Sequence, residues 1–154
     1  QFTESTGISS RAVEDPAQVA GCDVVSVVTN SPDPVLLGRW LRQGAHVNLV
    51  GAHEAEHREA DSEAVVNAAV YVDSRHGALR EAGDILIPIS EGKMTENDIA
   101  GEIGEVLLGT APGRQSDREI TLYKSLGIVA QDLFAAQHVL ISAMKAGKGQ
   151  LVEF

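Results

Sequence analysis

Apolar residues in this chain gather into short dense runs separated by polar gaps marked with glycine and proline. Val24–Thr29 is an apolar, largely β-branched run bounded by Asp23 and Asn30, and His46–Val50 is a second that breaks at Gly51. Runs of this length and density read as fully buried strands, and Val70–Asp73 predicts a third. Between the first two, Asn30-Ser31-Pro32-Asp33-Pro34 continues neither strand nor helix, because its two prolines remove donors and lock φ. A short amphipathic turn follows and ends at Gly44. Helical signals fill the remaining gaps. Pro16 opens a short helix closed at Gly21, Asp61 caps "SEAVVNAA" with Glu63 in its first turn, and Ser74 caps "RHGALREAG". Thr95, with Asp98 at the capping-box position, starts a helix over "ENDIAGEIGEVLLG" that Gly109 stops. "DILIPIS" is apolar but contains Pro88, which predicts an edge strand or an extended connection. Strands and helices alternating at this spacing predict an α/β fold with a parallel sheet.

After "TAPGRQSDRE" the period changes. Leu122, Leu126, Val129, Leu133, Ala136, Leu140 and Ala143 recur at steps of four and three, which predicts one long helix with a narrow apolar seam. Such a helix seeks another helix, in a second domain or a second subunit. Gly147 and Gly149 then release the chain into "QLVEF", expected as a terminal strand.

Composition narrows the class. The 154 residues suit one domain, or one domain plus a piece of another, and 4% aromatic content leaves the core to Val, Leu, Ile and Ala. A net charge of −10 disfavours nucleic acid or an anionic membrane as partner. The single cysteine, Cys22, excludes an internal disulfide, and its place before an apolar strand predicts a small core residue. No apolar run approaches the roughly 20 residues of a membrane span, and no leader signal opens the chain. A soluble cytoplasmic protein is the expectation.

Two constellations could carry chemistry. His53-Glu54-Ala55-Glu56-His57 matches the H-E-x-x-H pattern of zinc peptidases. Here Gly51 has just broken a strand, so His53 sits in a loop rather than within a helix, and no third ligand is evident; His76 is the nearest candidate. The context argues against a metal site. The strand ends are the second constellation. In open α/β sheets ligands bind beyond the carboxyl ends of the strands. Those ends are Thr29-Asn30-Ser31, Val50-Gly51-Ala52-His53 and Asp73-Ser74: hydroxyl and amide groups at the first, and bare backbone open to close approach at the second. The same residue types are also ordinary turn formers, and composition does not separate the two readings. Gly127 in "LYKSLG" poses the same choice, since a glycine within a helical pattern costs about 1 kcal/mol against alanine.

The segments "LLGRWLRQGAHVNLVGA", "YVDSRHGALREAGDIL", "GEIGEVLLGTAPGRQSDREITLYKSLG" and "QDLFAAQHV", in this order, resemble the ornithine cyclodeaminase/mu-crystallin family. The resemblance runs from about Ala20 to Phe154. It implies NAD or NADP as cofactor, hydride transfer to or from an amino acid or cyclic imine, and a homodimer or a complementary N-terminal segment as partner. It also implies that residues 1–114 are the later part of a Rossmann-type dinucleotide-binding domain. Residues 115–154 would then return, as a helix and strand, to a substrate and dimerisation domain. The glycine-rich phosphate loop of such a domain lies upstream of where this sequence starts, which explains its absence.

By the same resemblance Thr29, Asn30, Val47, Asn48, Leu49, Val50 and Gly51 contact the nicotinamide and its ribose. Ser125 and Leu126 close over nicotinamide and substrate, and Glu81 is an acidic substrate-site residue expected, with His53, to handle the proton. His53 falls where cyclodeaminases carry an aspartate that handles proton and water chemistry. An imidazole can relay a proton near neutrality but offers no fixed negative charge to an ornithine amine. A reductase or dehydrogenase therefore fits this chain no worse than a cyclodeaminase. The competing expectation is a binding or structural protein: an inactive truncated relic, a small-ligand binder, or an oligomer built on the seam helix.

Overall fold

The structure is a computed structural model and describes residues 2–150 and 152. In chain order its elements are α1 (Phe2–Thr6), α2 (Ala17–Ala20), β1 (Val24–Val27), β2 (His46–Leu49), α3 (Ser62–Val66), β3 (Ala69–Val72), α4 (Arg75–Glu81), α5 (Gly83–Ser90), β4 (Ile99–Glu102), α6 (Ile103–Leu108), β5 (Thr121–Lys124) and α7 (Val129–Lys145). The strands form one parallel sheet in the order β1-β2-β5-β3-β4. All carboxyl ends therefore share one edge.

Register sorts the side chains into two faces. Val25, Val27, Val47, Leu49, Leu122, Val70, Val72 and Ile99 lie on one face and are buried. Ala64 and Val65 of α3, Ala78 of α4 and Ile85 of α5 cover them. Asp61 starts α3 by accepting from the Ala64 amide at 2.9 Å, as its cap position predicts. Ser74 does the same for α4 through the Gly77 amide. On the other face a polar chain crosses three strands. Asn48 donates to Ser26 Oγ, His46 contacts both Asn48 Oδ1 and Thr121 Oγ1, and Arg114 donates to Thr121 Oγ1.

Several elements differ from expectation. β1 is not buried on both faces: Val24 and Val28 are 60% and 68% exposed, because β1 is an edge strand whose second face carries no helix among the described residues. Cys22 is exposed rather than in the core. "DILIPIS" is not extended but forms α5, with Pro88 inside it. Asp84, Ile85 and Pro88 fall on one helical face and are buried, and that burial outweighs the single helical hydrogen bond the proline removes.

The long helix expected after Thr95 is three elements. Asp98 Oδ2 accepts from Thr95 N and Oγ1, closing only a 3-10 turn; β4 then pairs with β3, and a second box, Glu105 Oε2 accepting from Glu102 N, starts α6. Gly109 does stop that helix, in the left-handed conformation at φ 73°. The seam helix is shorter than its pattern, since Thr121–Lys124 is the central strand β5 and the helix begins at Val129. That strand lies beyond the domain division expected at residue 114, yet it is hydrogen-bonded into the middle of the same sheet. Gly127 lies outside any helix, at φ 82° in the turn between β5 and α7, so its conformation rather than helix packing calls for glycine. Of the expected terminal strand, Leu151, Glu153 and Phe154 lie outside the described residues, and Gln150 and Val152 belong to no strand.

The start of α3 is tied to the end of α5 by Glu91, which accepts from Ser62 Oγ at 2.5 Å and pairs with Lys93 at 2.8 Å and Arg58 at 3.1 Å. The bonds from Lys93 and Ser62, with the charges of Lys93 and Arg58, pull its carboxyl down to about 2. A folded pKa below the unfolded value gives stability that is present above about 4.5 and is lost as pH falls towards 2. Thermal melts of Glu91→Gln and the parent should therefore differ at pH 6 and draw together as pH falls from about 4.5 towards 2; a constant difference across that window would contradict the assignment.

Candidate active site at the carboxyl edge of the sheet

Beyond the last β1–β2 ladder bond, Val50 N to Val27 O at 3.0 Å, the tips of the two strands lie against each other. A side chain at Gly51 would meet Thr29 O at 1.9 Å and Thr29 N at 2.6 Å. Glycine is required at Gly51 because β1 and a carboxylate fill the space, which differs from the expected reason, room for a ligand. That carboxylate is Glu59, fully buried. Its Oε1 accepts from Thr29 N at 2.5 Å and Thr29 Oγ1 at 2.8 Å, and its Oε2 accepts from Gly51 N at 2.6 Å and Ala52 N at 3.3 Å.

Glu59 is itself held. Asp84 Oδ1, at the first turn of α5, accepts from Glu59 N at 2.8 Å and Ala60 N at 3.1 Å. Asp84 Oδ2 makes no hydrogen bond of good geometry and has the Lys124 ammonium 3.0 Å away, both side chains fully buried. Lys124, the last residue of β5, also donates to Ala52 O. At the tip of β3, Asp73 Oδ2 accepts from Leu126 N at 2.7 Å, Gly127 N at 2.6 Å and Ser125 Oγ at 3.3 Å. Four strand tips are thus tied together by buried charged groups.

Of the residues expected at a site, Thr29, Gly51, Ser125 and Leu126 come together on this rim, with Asn30 and Val50 exposed beside them. Val47 and Leu49 point into the core at 0% exposure, and Asn48 lies mid-strand on the opposite face, bonded to Ser26 and His46. His53 is exposed in the loop after β2, its Nδ1 3.0 Å from Gly51 O. A carbonyl only accepts, so Nδ1 carries the proton and Nε2 is left as the basic nitrogen. Glu81 ends α4 and is exposed, and its side chain makes no hydrogen bond or ion pair among the described residues.

Glu54 Oε2 lies 3.7 Å from His57 Nδ1, and no group of three His, Cys, Asp or Glu gathers as metal ligands would among the described residues. No helix there is long and apolar enough to cross a membrane. Sequence reasoning placed Asp73 at a strand end without its bonds to the β5 tip, and missed Glu59, Asp84 and Lys124. One signal was available: with Thr121–Lys124 read as a strand, Lys124 shares the core face with Leu122 and needs a buried counter-charge.

A parallel sheet whose carboxyl ends share one open edge defines the class of open α/β domains, in which ligands bind at that edge. The family follows from comparison: the model of the ornithine cyclodeaminase/mu-crystallin family matches residues 2–147, and the chain belongs to that family. It is 36% identical over 137 residues to a Delta(1)-pyrroline-2-carboxylate reductase of Bacillus cereus, covering 88% of this chain and 42% of the relative. It is 42% identical over 121 residues to the ketimine reductase mu-crystallin of Mus musculus, covering 79% of this chain and 36% of the relative. The solved Delta(1)-pyrroline-2-carboxylate reductase of Thermococcus litoralis, in complex with NADH and L-proline, superposes with a TM-score of 0.92 at 37% identity. That match covers 99% of this chain and 47% of the solved one, so the chain spans less than half the length of these relatives.

Proposed function

We propose that this chain forms the later part of the dinucleotide-binding domain of an NAD(P)-dependent reductase, together with the helix that returns to a second domain. The substrate is a cyclic imine or its amino-acid counterpart. The observation that carries this is the rim itself: Thr29, Gly51 and Ser125 meet at the carboxyl edge of a sheet whose fold matches a reductase solved with NADH and L-proline. A bound nicotinamide would supply the hydride that reduces the imine carbon.

The chain's own residues orient the partners and manage a proton. Ser125 spends its hydroxyl proton on Asp73, which leaves its oxygen lone pairs to accept from an amide N–H such as that of a carboxamide. His53, with Nε2 basic and exposed, exchanges the proton that the imine nitrogen gains or loses. Glu81 attracts a cationic imine or amine from the exposed end of α4. Together these favour reduction of a cyclic imine over ornithine cyclisation, for which the position of His53 offers no fixed negative charge.

The second domain has a visible counterpart in α7. Val129, Leu133, Phe134, Leu140 and Met144 are 60% to 83% exposed, and apolar exposure on that scale along one helix calls for a partner. That partner is a complementary N-terminal segment or a second copy of the chain.

The test is direct. The protein carrying this chain should quench or shift NADH fluorescence on titration and consume NADH in the presence of Δ1-pyrroline-2-carboxylate. Saturable NADH binding with no turnover of any cyclic imine would instead favour a binding protein; no binding at all would remove the cofactor reading.

A further inference from the structure

We propose that Glu59 is a positioning residue that sets cofactor affinity through the β1 and β2 tips without touching the cofactor. The proposal rests on the reading of the rim as the cofactor edge. Past the last ladder bond, Thr29 N and Gly51 N have lost their strand partners and point into the same gap. Two orphan donors converging at a strand end would ordinarily hold water or a ligand oxygen. Here a side chain that is 0% exposed holds that place instead.

A buried carboxylate is a costly way to fill space. Removing one from water costs several kcal/mol unless its lone pairs are satisfied, and an apolar side chain would do the packing more cheaply. What the carboxylate adds is geometry. Two of its donors come from Thr29, just past β1, and two from Gly51 and Ala52, just past β2, so one rigid group spans both tips and fixes their separation. The group cannot swing, because Glu59 N is held by Asp84 and Glu59 O accepts from Val35 N at 2.8 Å and Leu36 N at 3.0 Å. Asp84 continues to Lys124, and Lys124 returns to Ala52 O. The result is a ring of charge-assisted bonds and one ion pair, closed through the tips of β2 and β5 and joined to the β1 tip by Glu59. A rim held in this way is ordered before the cofactor arrives, and binding spends less on ordering it.

Glu59→Gln tests this with little change in shape. The amide can accept at one end only and turns its NH2 towards the donors of one tip. Titration of the whole protein with NADH, followed by fluorescence, should show affinity weakened about tenfold, the loss of one bond to a charged acceptor. Amide signals of Thr29 and Gly51 should shift in the same variant. Val65→Ala, a core truncation on α3 away from the rim, serves as control: it lowers the melting temperature and should leave NADH affinity within about twofold. Equal loss in both variants would reduce Glu59 to general stability, and unchanged affinity in Glu59→Gln would overturn its role.

Should Glu59→Gln fail to fold, Thr29→Val and Thr29→Ser separate the same question. Valine removes the hydroxyl arm to Glu59 and serine keeps it. Valine alone should speed hydrogen exchange at the Gly51 amide, across the clamp on β2, by about threefold; equal exchange in the two overturns the proposal. Failure of the unmodified protein to bind NADH would instead remove the cofactor reading, and this proposal with it. Binding by the unmodified protein that Glu59→Gln leaves intact removes this proposal alone.

Discussion

Lys124→Met is expected to destabilise the protein by about 3–5 kcal/mol, the range for removing one partner of a buried ion pair. Lys124 and Asp84 are both 0% exposed and 3.0 Å apart. Methionine has a comparable length and no charge, so packing is largely retained and the electrostatic loss dominates. Asp84 Oδ1 keeps the amides of Glu59 and Ala60, but Oδ2 has only the ammonium and would be left buried and alone. The Ala52 carbonyl loses its donor as well. Denaturant unfolding reads the loss as a lower midpoint at unchanged slope. Adding Asp84→Asn removes the stranded charge while its carbonyl oxygen still accepts from the two amides. The double variant should therefore recover about half of the loss, a non-additivity expected only of residues in contact. A single variant within about 1 kcal/mol of the parent would contradict the pairing.

Gly51→Ala should have the second large effect, and on binding as much as on stability. The added carbon would lie 1.9 Å from Thr29 O, 2.5 Å from Glu59 Oε1 and 2.6 Å from Thr29 N. Two of those three atoms are backbone of the neighbouring strand, so no side-chain rotation relieves the clash and the tips must move apart. Overpacking of this kind costs about 3 kcal/mol. It also breaks the shared grip of Glu59, so NADH binding should be lost in titrations that detect it in the parent. Gly104→Ala is the contrast: nothing lies within 4 Å, and alanine in α6 should be neutral or gain up to about 1 kcal/mol. If both substitutions were silent in thermal melts and titrations, the tips would not be the close-packed unit described.

Much of the local architecture was legible. The caps at Asp61 and Ser74, the stop at Gly109 and the strands at Val24, His46 and Val70 rest on short-range rules, and short-range rules are written in adjacent residues. The misreadings share one cause. Leu122 and Lys124 share one face of a strand at its two-residue period, yet Leu122 and Leu126 also fit a helical step, and four residues of central strand cannot outvote a seventeen-residue helix downstream. Pro88 argued for an extended segment because the burial of α5 against the sheet was not visible in the local pattern. Two capping boxes seven residues apart looked like one helix, because nothing near Ile99 shows that β3 waits to pair with it.

The amino-acid sequence by itself determined the α/β class, the family and which stretches end near a ligand edge, since these follow from hydrophobic spacing, caps and ordered landmarks along the chain. Only the tertiary structure decided that β5 enters between β2 and β3, that Gly51 is glycine because β1 lies against it, and that Glu59, Asp84 and Lys124 form a buried ring. The physical reason is range. A charge in a sequence looks solvated until the fold takes it out of water, and its partner then has to come from 25 or 40 residues away.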